Sequence, residues 1–170
     1  ESVRFKSSTG SYFQNQAHNL LTGLLAHVML SPEFADRRNL RSLRQIVSEP
    51  ETSVLAMLRD VQEHSASAFI RETLGVFVNM TEQTFSGVYS TASKDTQWLS
   101  LDNYAALVCG NTFKSSEIAE GKKDVFLNIP ASILRSYPGI GRVIIGSLIN
   151  AMIEADGAFQ RRALFMLDEV

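Results

Sequence analysis

Two adjacent carboxylates, Asp168 and Glu169, follow the short apolar run Ala163 to Leu167. An evenly apolar run of this length reads as a strand buried on both faces of a parallel sheet. Acids at its carboxyl end would stand where open α/β sheets place their ligands. The chemistry open to such a pair is metal-assisted. Asp168 would hold Mg²⁺, directly or through water, because a hard cation takes oxygen ligands. Glu169 would orient and polarise a water that attacks a γ-phosphate. The competing interpretation is a core strand that merely ends in two acids.

The elements before the pair favour the first interpretation. Asp124-Val-Phe-Leu-Asn-Ile129 is a second short, β-prone run, stopped by Pro130. From Ile140 to Ala155 the apolar positions Val143, Ile144, Leu148, Ala151 and Met152 recur with the helical period, and Gly157 follows as a stop. Strand, helix and strand in this compass make a right-handed βαβ unit with parallel strands. An apolar strand ending in Asp-Glu is the Walker B pattern of P-loop nucleotidases. The matching phosphate-binding loop, G-x-x-x-x-G-K-[ST], does not occur, and Gly121-Lys-Lys lacks both the upstream glycine and the hydroxyl residue. Without that loop nothing cradles the β- and γ-phosphates. The chain alone is therefore expected to carry no cofactor and to be catalytically inert.

A dinucleotide-binding βαβ is the enzymatic alternative. Gly139-Ile-Gly-Arg-Val-Ile-Ile-Gly146 opens a helix after a strand, and Asp168 would end the next strand, where a ribose-binding acid sits. The third glycine comes two positions late for G-x-G-x-x-G, and the glycines start too far beyond Ile129 for a tight turn. A plain helical interaction module is the non-enzymatic alternative.

The upstream part is helical in pattern. Residues 1–10 read as a polar linker, and Ser11-Tyr-Phe-Gln14 fits a capping box for a helix whose inner face carries Phe13, Ala17, Leu20, Leu21, Leu24, Leu25 and Val28. Ser31-Pro32 ends it. His18 and His27 lie too far apart for an i, i+4 metal pair and read as ordinary boundary residues. Asn39 caps a short helix with Leu40, Leu43, Ile46 and Val47 inward. Pro50 separates it from a helix over about 52–64. Ser65 or Ser67 caps what reads as one long helix, 68–99, whose only charge between Thr73 and Ser93 is Glu82. A helix so poor in charge is expected to be covered on more than one side. A short helix over 102–108 and the polar turn Glu120-Gly-Lys-Lys-Asp124 lead to the first strand.

Arg37, Arg38, Arg41 and Arg44 gather on the loop and short helix before Pro50. They form either a solvated face or a docking patch for an acidic protein partner. As exposed charges, Arg41 and Arg44 are expected to contribute little to stability. The whole chain has 16 Lys+Arg against 18 Asp+Glu, a net charge of −2, which excludes a global nucleic-acid footprint. Cys109 is the one cysteine, so there is no disulfide framework, and a reducing compartment is expected. The 170 residues suffice for one compact domain or slightly more, and the start on Glu1 reads as a piece of a longer protein.

The order of these pieces, Phe-x-x-x-Ala-x-Asn-Leu-Leu-x-Gly-Leu from Phe13 to Leu24, the helices up to Trp98-Leu99, Asp124-Val-Phe-Leu-Asn-Ile-Pro130 and Ala-Leu-Phe-Met-Leu-Asp-Glu169, resembles the TraG-type coupling proteins of type IV secretion and bacterial conjugation. The resemblance implies a mainly α fold. A helical bundle, the all-α substrate-recognition insertion, would occupy 1–123, and a β-α-β fragment of the nucleotidase domain ending in Walker B would occupy 124–170. It implies a parent ATPase using Mg-ATP, membrane-anchored and hexameric at the cytoplasmic face of the bacterial inner membrane. The implied partners are a relaxase or a secreted effector or adaptor, with DNA only a weak partner for this piece. Asp168 and Glu169 would match the family's Walker B acids, as metal and catalytic residues, and the isolated chain is expected to be monomeric.

Overall fold

The computed structural model describes residues 8–110, 112–156 and 163–166. They form nine α-helices: α1 Ser8–Leu30, α2 Leu40–Ile46, α3 Glu51–His64, α4 Ala68–Val78, α5 Glu82–Thr96, α6 Asp102–Cys109, α7 Ser116–Ala119, α8 Ala131–Ser136 and α9 Pro138–Glu154. Two short 3₁₀ turns, Pro32–Phe34 and Gln97–Ser100, complete the regular structure. The chain divides into two compact units, 1–105 and 106–170. The boundary expected at 123/124 falls inside the second.

The first unit is a bundle in which α1 packs on α4 and α5, α3 packs on α4, and α2 packs on α1 and the Gln97–Ser100 turn. Its core is the set of faces expected from the apolar period: Ala17, Leu20, Leu24 and Val28 of α1 are fully buried, with Leu58, Leu74, Phe77, Phe85 and Val88 against them. Two glycines permit the close approach. A Cβ on Gly23 would lie 2.5 Å from Leu74 Cδ2, and one on Gly87 would lie 2.5 Å from Phe13 Cε1. Both distances are below any tolerable carbon contact, so α1 could not sit this close to α4 and α5 with larger residues there.

Local capping matches the sequence in most places. Asn39 accepts from the amides of Arg41 (2.9 Å) and Ser42 (3.1 Å) at the start of α2, and Ser67 accepts from Ile70 (3.5 Å) at the start of α4. These side chains satisfy first-turn amides that have no helical partner. Two expectations are corrected. α1 already runs from Ser8, which places Ser11 inside the helix rather than at its cap. The expected single helix 68–99 is broken: α4 ends at Val78, and Thr81 caps α5 by accepting from the amide of Thr84 at 3.3 Å. Thr81 serves as a cap because its hydroxyl competes for backbone amides better than it continues a helix.

In the second unit α9 packs against α7 and α8. α7 closes in a left-handed turn at Gly121 (φ 69°), with Gly121 N bonded to Ile118 O and Lys122 N bonded to Glu117 O, both at 2.9 Å. This is the six-to-one, five-to-two pairing that uses glycine at a helix end. Among the described residues there is no β-strand. The run expected as a strand at 125–129 is irregular, with Phe126 93% exposed, and 163–166 is irregular with Leu164 82% exposed. An extended segment becomes a strand only when a neighbour completes its hydrogen-bond ladder, and no described segment supplies one.

Candidate functional site

The four arginines singled out by sequence do different things. After α1, the Pro32–Phe34 turn buries the Phe34 ring, and the Arg37 guanidinium lies over that ring, 5.0 Å from its centroid. The Arg37 carbonyl accepts from the hydroxyl of buried Ser42 at 2.6 Å, which fixes the backbone at this point. Arg38 is exposed. Arg41 Nη2 donates to Asp102 Oδ1 at 2.5 Å, between side chains that are 47% and 80% exposed. Such an open pair is screened by water and salt and adds little to stability.

Arg44 is different. Its Nε donates to Ser100 Oγ at 2.9 Å, and its Nη1 donates to the Ser93 carbonyl at 2.9 Å and reaches Ser93 Oγ (3.2 Å) and Thr96 Oγ1 (3.3 Å). One guanidinium thus ties α2 to the end of α5 and to the turn after it. The premise that Arg44 is an exposed charge of little consequence for stability is corrected. A charged donor whose partners are a backbone carbonyl and three hydroxyls is a structural tie, and its removal leaves part-buried acceptors unpaired. The basic surface therefore reduces to Arg37, Arg38 and the part-committed Arg41.

Two residues with defined roles were not singled out by sequence. His27, treated as a boundary residue, is 5% exposed. Its Nε2 lies 3.0 Å from Glu33 Oε1 and its Nδ1 2.8 Å from Ser31 Oγ, and its ring meets Phe34 edge-on. A carboxylate can only accept, so the proton belongs on Nε2 and Ser31 donates to Nδ1. Burial holds the imidazole below its ordinary pKa of 6.5, against the pull of Glu33 and Asp60. The signal available in sequence was Ser31 and Glu33 four and six positions downstream of His27. Tyr89 donates to the Glu49 carbonyl at 2.6 Å. Burial pushes its phenol up to about 12. That bond holds the α2–α3 connection to α5.

Asp168 and Glu169 lie outside the described residues. Among the described residues no group of three or more His, Cys, Asp or Glu side chains is placed to hold a metal ion. Pro138 opens α9, so Gly139 and Gly141 occupy its first turn and Gly146 its middle. The glycines open the helix as expected, but no described strand leads into them by a tight turn, which counts against the dinucleotide-binding alternative. No described helix is long and apolar enough to cross a membrane.

Comparison with known proteins bears on the whole chain. The sequence model of the family described as type IV secretory system conjugative DNA transfer matches residues 1–170. The type IV secretion system-coupling protein VirD4 of Bartonella quintana (strain Toulouse) is 64% identical over 166 residues, covering 97% of this chain and 26% of the relative. The same-named protein of Bartonella henselae is 63% identical over the same share. The conjugal transfer protein TraG of Rhizobium radiobacter is 43% identical over 171 residues, covering 100% of this chain and 27% of the relative. The chain thus spans about a quarter of the length of these relatives. No solved structure matches it. A family match from the first residue to the last, with relatives this similar, places the chain among the coupling proteins of type IV secretion and conjugative DNA transfer.

Proposed function

We propose that the first unit docks the transferred substrate, a relaxase or a secreted effector or its adaptor, and that the second belongs to the ATP-driven part of the same coupling protein. The observation that carries the docking half is the basic segment. Arg37 and Arg38 stand on a short connection clamped at Ser42 and at Phe34, on a rigid helical support. Two adjacent exposed arginines, flanked by Glu33 and Asp36 and with the segment's one aromatic, Phe34, buried and so closed to base stacking, suit an acidic protein tail better than a nucleic acid.

The second half rests on uncovered apolar surface. α9 has only two charged residues, Arg142 and Glu154, yet only Ile140 and Ala151 are buried on it. Phe126, Leu164 and Met166 are exposed as well. Helices apolar all round belong in interiors. This supports a β-α-β slice whose remaining sheet is supplied by other parts of the full-length protein. In that setting Asp168 would hold Mg²⁺ and Glu169 would orient the attacking water. Bound Mg-ATP would supply the phosphoanhydride that is hydrolysed. The expected setting is a membrane-anchored hexamer at the cytoplasmic face, with this chain alone monomeric.

The test of docking is the double reversal Arg37→Glu, Arg38→Glu, titrated with the cognate relaxase or effector. Affinity is expected to fall about tenfold at low salt, with the gap narrowing as salt rises. Equal affinity at low salt would exclude the patch as the docking site.

A further inference from the structure

The arginine segment is not held by its own hydrogen bonds alone. It begins where α1 ends, and the last buried polar side chain of α1 is His27. The ring of His27 contacts three residues of the connection in sequence order: Ser31 through Nδ1, Glu33 through Nε2, and Phe34 edge-on with ring centroids 5.4 Å apart. Phe34 in turn carries the Arg37 guanidinium on its face. The hydrogen bonds also pass along the segment: Ala35 N bonds to Pro32 O (3.0 Å), Arg37 N to Phe34 O (2.9 Å) and Asn39 N to Arg37 O (3.0 Å). The start of the segment is thus fixed by His27 and its end by Ser42 and Asn39.

We propose that His27 is a positioning residue for the Arg37 guanidinium, acting through Ser31, Glu33 and Phe34 to set the pose of the basic segment. The geometry gives each ring atom a separate task. The Nε2 proton restrains Glu33 and so the turn of the 3₁₀ segment. Nδ1 takes the Ser31 hydroxyl at the point where α1 stops. The ring edge points at the π face of Phe34 or the reverse, and either arrangement fixes the plane on which Arg37 rests. A guanidinium on a fixed aromatic plane is restricted in direction, which lowers the ordering cost when it meets a carboxylate. The consequence for binding rests on the docking role of Arg37 and Arg38, whereas the positioning itself does not.

Three variants separate these tasks: His27→Phe keeps a ring and removes both hydrogen bonds, His27→Gln restores a donor toward Glu33, and Ser31→Ala with Glu33→Ala leaves the buried ring untouched. The readout is backbone order from ¹⁵N heteronuclear NOE at residues 33–39, beside a titration of the same samples with poly-L-glutamate at low salt. In His27→Phe and in the Ser31→Ala, Glu33→Ala pair, NOE values at 35–38 are expected to fall toward those of a frayed terminus. Residues 54–61 and 85–92 should keep theirs. Poly-L-glutamate affinity of His27→Phe, which leaves the charge of Glu33 in place, is expected to fall on the order of threefold to tenfold through the loss of hydrogen bonds of ordinary strength, with partial recovery in His27→Gln. Unchanged NOE values at 35–38 in the Ser31→Ala, Glu33→Ala pair would overturn the positioning role. So would a loss of order spread evenly over α3 and α5. If wild type fails to bind poly-L-glutamate while the NOE values change as expected, the positioning role stands and the docking reading falls.

Discussion

The two units use their apolar residues in opposite ways. In 1–105 a continuous set of large apolar side chains is inside: Leu20, Leu24, Leu58, Leu74, Phe77 and Phe85 are at most 1% exposed, although Leu30, Phe69 and Val76 are 52–60% exposed. In 106–170 the described residues that are both apolar and buried are Ala119, Ile140 and Ala151, while Phe126, Ile153, Leu164 and Met166 are 69–93% exposed. The first unit has a core of its own, and the second, among its described residues, leaves most of its large apolar side chains uncovered. Burying a large apolar side chain stabilises by about 1.5–3 kcal/mol. The stability of this chain must therefore come almost wholly from its first unit.

Core truncation should sharpen that contrast most. Phe77→Ala is expected to cost about 3–5 kcal/mol, because it removes a fully buried ring from a packed site. Ile153→Ala, at a position 69% exposed, is expected to change stability by less than about 0.5 kcal/mol. Urea unfolding followed by helical circular dichroism measures both. Comparable losses would break the comparison.

Next in size is Arg44, which tests whether the edge of the first unit belongs to its cooperative fold. Arg44→Ala is expected to cost about 1–3 kcal/mol in the same unfolding assay, since it removes the charged donor shared by the Ser93 carbonyl and the Ser93, Thr96 and Ser100 hydroxyls. Arg41→Ala, which loses only an exposed pair with Asp102, is expected to cost under about 1 kcal/mol. If Arg44→Ala proved as mild as Arg41→Ala, the tie between α2 and α5 would be a solvated contact.

The sequence made much of the first unit legible and left the rest dark for identifiable reasons. The inner faces of α1 and α3 and the caps Asn39 and Ser67 could be read directly, because apolar period and capping chemistry act locally. The break at Asn79–Thr81 was missed because Phe77, Val78 and Phe85 keep the apolar spacing of a continuous helix across it. Arg44 could not be told from Arg38 by sequence. What distinguishes them is the presence of Ser93, Thr96 and Ser100, about fifty residues away along the chain. His27 was weighed only as half of a metal pair, and its partners, Ser31 and Glu33, went unexamined. The strands at 125–129 and 163–168 were inferred from apolar runs alone, and a run does not supply the paired neighbour that makes a strand. Asp168 and Glu169 fall outside the described residues.

A smaller effect concerns pH, and it too falls on one unit, since His18, His27 and His64 all lie in the first. Burial holds His27 below its ordinary 6.5, so as pH falls the unfolded chain takes up that proton before the folded one. The contribution is fully present above about 6.5, and it is lost progressively as pH falls below that value toward the lowered folded pKa. The melting temperature of the wild type should therefore drop between pH 7.5 and 5.5 by more than that of His27→Gln. Equal drops would show that the imidazole is not held neutral by burial.

The contrast between a self-sufficient bundle and an incomplete slice is tested most directly by native-state hydrogen exchange on this chain. Amides of α1, α3, α4 and α5 are expected to exchange only with global unfolding. Those of α9 should exchange through local opening, orders of magnitude faster. If α9 amides were instead protected as strongly as those around Leu20 and Phe77, the second unit would have a complete core of its own, and its assignment as a slice of a larger domain would be contradicted.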